Sequence, residues 1–208
     1  MCSVQLFFVL VFFGFTFIQA FNMTTCPGSW ELQSENVKAN FSLQLFPGTY
    51  YELALHDYTQ FPTCPLPSCV RSVKAVDSAR RMINDTWELS CFGQKFPEPL
   101  RFNLTQTPGV FYGAWSNVLP GVRIPDMVVD FLPPTPSSPS QYAFVLEFQC
   151  IQGERGIDFA GINWYSADPT PGDQFIDNVL QLARDAGLGV YMDFGFGVYR
   201  VPQTNCSY

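Results

Sequence analysis

The feature that most limits how this chain can fold is a change of hydrophobic period near residue 167. From Tyr50 to Tyr165 the sequence reads as short alternating segments separated by turn residues. Strands are expected near 49–56, 68–77, 83–91, 98–106, 109–116, 125–132, 141–150 and 156–166. Such even spacing of short strands indicates a sandwich or a barrel. Then "PTPGDQFIDNVLQLARDAGLG" puts Phe175, Ile176, Val179, Leu180, Leu182 and Ala183 on one helical stripe. Thr170 suits the N-cap, Pro171 the first helical position and Asp173 the third, so the helix is expected over about 170–186. Gly187 suits a left-handed stop, and a final strand is expected near 189–200. Eight strands and one amphipathic helix pack well if the sheet closes on itself and the helix lies outside it.

The N-terminus and the cysteines bear on the compartment. "MCSVQLFFVLVFFGFTFIQA" reads as a secretory signal cleaved after Ala20, which leaves 21–208 as one barrel domain. Its apolar run, 6–18, is short for a membrane span, and no other segment approaches one. Six cysteines follow: Cys26, Cys64, Cys69, Cys91, Cys150 and Cys206. An even count in an exported chain argues for three disulfides, with 15 possible pairings. A zinc site is disfavoured because there is no CxxC pair and His56 is the sole histidine. Of five sequons, Asn40, Asn84 and Asn103 are the best glycosylation candidates; Asn22 lies too near the cleavage point and Asn205 too near a cysteine.

A glycan must point to solvent, and neighbours in a strand alternate faces. If Asn103 points out, Leu100, Phe102 and Leu104 point in. If Asn84 points out, so do Thr86 and Glu88, and Trp87 and Leu89 point in. Both strands then show polar residues outside and large apolar ones inside. The aromatic share of 16%, with 21 Phe, suits a cavity lining as well as a packed core. The net charge of −7 with 11 basic residues disfavours nucleic acid and anionic membranes.

Three motifs in order resemble the lipocalin family, with a pattern closest to its apolipoprotein D branch. Gly48-Thr49-Tyr50-Tyr51-Glu52 is similar to the G-x-W-Y-E that opens the first strand. Asp130-Phe131, in "VVDFLPPTPSSPSQYAFVLEFQC", stand at the Asp-Tyr places of the T-D-Y motif. "FAGINWYSADPTPGDQFIDNVLQLARDAGLGV", running on to "VPQTNC", is similar to the last barrel strand, the helix and the terminal cysteine. Two departures stand out. The motif tryptophan is Tyr50, and the arginine that stacks on it in the family would fall near Ala167 and is missing. The closed end must be packed in another way, with Tyr50 against Trp164 or Tyr165.

The resemblance implies an eight-stranded antiparallel up-and-down β-barrel with the helix outside. It pairs Cys26 with Cys150 and Cys69 with Cys206, which leaves Cys64 for Cys91. It puts Tyr50, Glu52, Ala54 and His56 inside and Tyr51, Leu53 and Leu55 outside, beneath the helix. The implied function is transport of a small hydrophobic ligand, such as a lipid, sterol, fatty acid, retinoid or carotenoid, with no cofactor. The expected lining is Tyr50, Glu52, Trp87, Phe102, Leu104, Tyr112, Val128, Val145, Phe159 and Tyr165, with Trp115 near the mouth. A cell-surface receptor is an open partner of unknown identity. Two other classes remain open: a lipocalin-type enzyme acting on a lipid or isoprenoid, and a packed barrel that binds proteins through its surface. For the enzyme, Glu52, Asp85 and Asp130 are the candidate acids. His56 is a candidate haem ligand.

Overall fold

The computed structural model describes residues 25–57, 59–60, 64–114 and 123–208. The expected signal segment and Trp115 lie outside them. Eight antiparallel strands run in sequence order: β1 (Gly48–His56), β2 (Ser68–Asp77), β3 (Met82–Cys91), β4 (Gln94–Leu104), β5 (Val110–Ala114), β6 (Arg123–Leu132), β7 (Phe144–Gln152) and β8 (Ile157–Ser166). β1 pairs with both β2 and β8, so the sheet closes into a barrel and its two central edges are satisfied. The alternating sequence located these strands to within a few residues.

Two short helical turns, α1 (Ser29–Leu32) and α2 (Glu35–Asn40), precede the barrel and were not expected. Ser34 caps α2 by accepting from the Val37 N–H. The Gln33 amide donates to the carbonyls of Pro108 and Val128, which fixes this segment across the end where β1 begins. That end is the floor of the barrel. The hairpin tip between β3 and β4 and the loop between β1 and β2 lie at the other end, the mouth.

The long helix is shorter than expected. It is α3 (Asp173–Ala183), with Gly172 rather than Thr170 at the N-cap. The Asp168 carboxylate takes the Thr170 N–H, holding Thr170 and Pro171 in the approach to the helix, and Gly172 makes the junction at φ 89°. A wide turn, Arg184–Leu188, follows, and there Gly187 does take the left-handed conformation, at φ 89°. The expected last strand is mostly absent. A helical turn, α4 (Gly189–Met192), and a loop occupy that stretch, and only β9 (Tyr199–Arg200) pairs with β1.

The helix covers the outside of β6, β7, β8 and β1. Val179 and Ala183 pack there with Ala54, Val129, Phe144, Leu146, Phe148, Ile162 and Trp164 in one apolar cluster. The Trp164 indole N–H donates to the Val179 carbonyl at 3.1 Å. Three disulfides tie the outer parts to the wall: Cys26–Cys150, Cys64–Cys91 and Cys69–Cys206. These are the pairs the family resemblance implied. Asn40, Asn84 and Asn103 all lie exposed. Among the described residues no helix is long and apolar enough to cross a membrane.

Candidate functional site

Pairing decides which side chains face the barrel axis, because partners across an antiparallel ladder share a face. Tyr50 lies opposite Ser72, Ile83 opposite Phe102, Val128 opposite Glu147 and Val145 opposite Tyr165. Tyr50, Ile83, Phe102, Phe111, Val128, Phe131, Val145 and Tyr165 form one cluster with Phe46 and Tyr142. It fills the floor. Phe46 and Phe111 stack at 5.3 Å, and the Tyr50 hydroxyl donates to the Phe46 carbonyl at 3.1 Å. Tyr50 therefore packs with Tyr165, while Trp164 lies on the outer face beneath the helix.

One reading of β1 is corrected. Glu52 pairs with Tyr165 and Ala54 with Trp164, so Leu53 is the extra residue of a β-bulge. Beyond it the faces exchange. Leu55 joins the inner cluster with Cys64, Val70, Leu89 and Cys91. Ala54 and His56 turn outward, opposite Trp164 and Ile162. His56 donates through Nδ1 to the Gly197 carbonyl at 2.7 Å and stacks on Phe196, which removes it as a ligand for a haem in the barrel.

Above the floor the interior is charged. Lys74, Asp85 and Glu147 meet at mid-height, with Lys74 Nζ 3.0 Å from Asp85 Oδ2 and 3.2 Å from Glu147 Oε1. All three are buried, as are Glu52, Ser72, Asp126, Gln149 and Asn163. The ammonium also faces the rings of Tyr165, Phe46 and Phe102 at 5.0, 5.4 and 5.9 Å. Lys74 thus places a cation beside the floor aromatics. Burial opposes its charge, but Asp85, Glu147 and Asp126 outweigh burial and hold its pKa above the ordinary value.

The carboxyls are also shifted upward, which in their case disfavours the charged form. Burial pushes Glu52 up to about 8, despite hydrogen bonds from Asn163 at 2.5 Å and Gln60 at 3.3 Å. Burial also raises Asp126, reinforced by the charge of Glu147 and opposed by Lys74. Glu147 is raised by burial, with Lys74 pulling it down. Among the described residues the four buried carboxyls of the belt, Glu52, Asp85, Asp126 and Glu147, have Lys74 as their one buried counter-charge.

On the mouth side of this belt the inner face is mostly apolar again, with Glu98, opposite Trp87, as a carboxylate among the apolar groups. Strand direction puts Trp87 beyond Asp85, Leu55 beyond Glu52, Ile124 beyond Asp126 and Phe159 beyond Asn163. The Phe159 ring lies over Gly161, where a Cβ would approach it to 2.7 Å. Trp87 and Phe96 face inward but are only partly covered; Phe96 is 37% exposed.

The expected lining therefore divides into three groups. Trp87 and Phe159 lie in the mouthward sleeve and Glu52 in the belt. Tyr50, Phe102, Val128, Val145 and Tyr165 belong to the packed floor. Leu104 packs at the floor's edge and borders an outer groove. Tyr112 faces outward and is 40% exposed, because its partners Asn103 and Pro125 are on the outer face. Asp130 is also outside the barrel, held by the Ser34 hydroxyl and the Phe131 N–H. Lys74, Asp126, Glu147 and Asn163 were missed.

A groove of about 520 Å³ lies at the closed end, lined by Phe41, Leu43, Leu104, Val110 and Phe111 among others. The stacked rings of Phe46 and Phe111 separate it from the belt. It is therefore no part of the mouthward sleeve. Among the described residues no group of histidine, cysteine and carboxylate side chains is arranged to hold a metal ion.

No family model matches this chain. No curated protein matches it either. Solved structures do. Apocrustacyanin C1 superposes with a TM-score of 0.60 at 14% identity, over 89% of this chain and 91% of that one. Lobster apocrustacyanin A1 gives 0.59 at 12%, over 88% and 89%. The fold is a lipocalin barrel. Apocrustacyanin C2 agrees, at 0.56 and 13% identity over 78% of this chain and 79% of that one. Likeness at this level of identity speaks for the lipocalin architecture, and function has to be argued from the site.

Proposed function

We propose that this protein is a secreted lipocalin that carries a small hydrophobic ligand in the mouthward half of its barrel. The observation that carries the reading is the inward-facing apolar surface left partly open at the mouth, centred on Trp87 and Phe96. Leu55, Ile124 and Phe159 continue it downward, and the buried belt ends it. A lipid, sterol, retinoid or carotenoid body would lie between mouth and belt. Transfer of about 300 Å² of apolar ligand surface from water would yield a gross gain of about 7 kcal/mol. Part of that is lost to association entropy, so micromolar affinity is expected. Three disulfides and exposed sequons support export. The motif order like that of apolipoprotein D supports carriage over surface binding.

Organic extraction of protein purified from its native source, followed by mass spectrometry, tests this reading. A stoichiometric apolar small molecule is the expected result. Protein that yields none, and that binds no apolar probe when purified, would overturn it.

The belt favours a second reading. Glu52 holds a proton near neutral pH, and Asp126 and Glu147 lie close enough to influence each other's ionisation. A lipocalin-type enzyme could use such a group as general acid. Glu52→Gln separates the two readings: a carrier keeps its ligand, and an enzyme loses turnover while retaining binding.

A further inference from the structure

The belt's hydrogen bonding is one-sided at the edge that faces the sleeve. Asp126 on β6 and Gln149 on β7 are paired across the ladder, one step mouthward of the Val128–Glu147 pair. Asp126 Oδ1 and Gln149 Oε1 are both buried and accept no hydrogen bond among the described residues. Glu147 Oε1 has the Lys74 ammonium 3.2 Å away but no aligned hydrogen bond. Gln60 Oε1 is also without a donor, but it sits beside Glu52, and a proton on Glu52 satisfies it once the Gln60 amide turns end for end. The Gln149 side chain hydrogen-bonds Asp126, so a proton on Asp126 could serve Gln149 Oε1 in the same way, but Asp126 Oδ1 keeps no donor among the described residues.

Every unmet atom in the belt among the described residues is therefore an acceptor. The charge count leans the same way: with Glu52 carrying its proton, Asp85, Asp126 and Glu147 still face Lys74 as the one cation among the described belt residues. Buried acceptors without donors are costly, and so is buried negative charge without a counter-ion. A proton on Asp126 supplies one donor. A ligand ammonium supplies several donors and the counter-charge together. A carboxylate headgroup would bring a further negative charge and no donor. A ketone or ester would bring only more acceptors.

We infer that the ligand carries a protonated amine at one end, seated against Asp126, Gln149 and Glu147, with its apolar body in the sleeve towards Trp87. This rests on the carrier reading and narrows it. Fatty acids are excluded as preferred ligands, and amphiphilic amines are selected.

Three eight-carbon probes, n-octylamine, n-octanol and octanoate, test the inference by displacement of the neutral fluorophore N-phenyl-1-naphthylamine at pH 7. The amine is expected to displace the fluorophore at about one-tenth the concentration of octanol, with octanoate weakest. Asp126→Asn is expected to bring the amine to within about threefold of octanol. The comparison on the natural sequence decides alone if that variant does not fold. Octanol or octanoate displacing as well as octylamine would overturn the amine assignment and leave the carrier reading standing. No fluorophore binding and no binding of any probe would overturn both.

Discussion

Outside β6, β7, β8 and β1, the helix lies on Trp164, Phe148, Leu146 and Ala54; inside the same strands, Glu52, Asp126, Glu147 and Asn163 approach the barrel axis. The two sides of one wall are equally buried and are stabilised by different physics. The outer side gains from area and close packing, which is insensitive to pH and tolerant of isosteric exchange. The inner side holds groups that are costly to bury unless each keeps its partner. A stable helix-covered outside can thus carry an inside chosen for something other than stability.

Truncations on each side should break the comparison most strongly. Trp164→Ala removes the centre of the outer cluster and the hydrogen bond to Val179, at an expected cost of about 3–5 kcal/mol by denaturant unfolding. Lys74→Met leaves Asp85 and Glu147 buried without their cation, at a similar cost of about 3–5 kcal/mol. The triple variant Lys74→Met, Asp85→Leu, Glu147→Leu should recover most of that loss. A cost for the triple equal to that of the single would show that the belt acts as packing rather than as charge.

Replacing Cys64 and Cys91 by alanine should cost about 2–4 kcal/mol, because the bridge ties the β1–β2 loop to the mouth end of β3.

A smaller effect separates the sides by pH. Below about 4.5 Glu52 is protonated in both the folded and the unfolded chain. Between there and about 8 only the unfolded chain ionises, so its contribution to stability falls as pH rises, by no more than about 1.4 kcal/mol per unit. Glu52→Gln should flatten this decline and be more stable than the natural protein at pH 8. The slope of Trp164→Ala should match that of the natural protein.

Least should follow from Tyr112→Ala. The exposed ring lies on the outer face, so a change within about 0.5 kcal/mol and unaltered fluorophore binding are expected.

The strands were legible because most of the wall alternates strictly, and the helix because its stripe is wide. The two N-terminal turns were not: each is short, and its place depends on distant partners such as Gln33 on Val128. Parity from the Asn84 sequon already put Asp85 inward, and the same parity with Val145 places Glu147 inward. Reading large apolar residues as the inside hid that signal. The exchange of Ala54 and Leu55 was beyond any parity argument, since the bulge at Leu53 leaves no mark in composition. Tyr112 was misplaced because an exposed tyrosine on the outer face reads like a lining residue in a sequence rich in aromatics.

The central claim is that the charged belt divides the barrel, so that a ligand lies only on its mouth side. A crystal structure with N-phenyl-1-naphthylamine bound tests it most directly. Ring density against Trp87, Leu55 and Phe159, ending at Asp126 and Gln149, is the expected result. Density among Phe46, Phe102 and Tyr165 below the belt, or only in the groove beside Phe41 and Leu43, would contradict it.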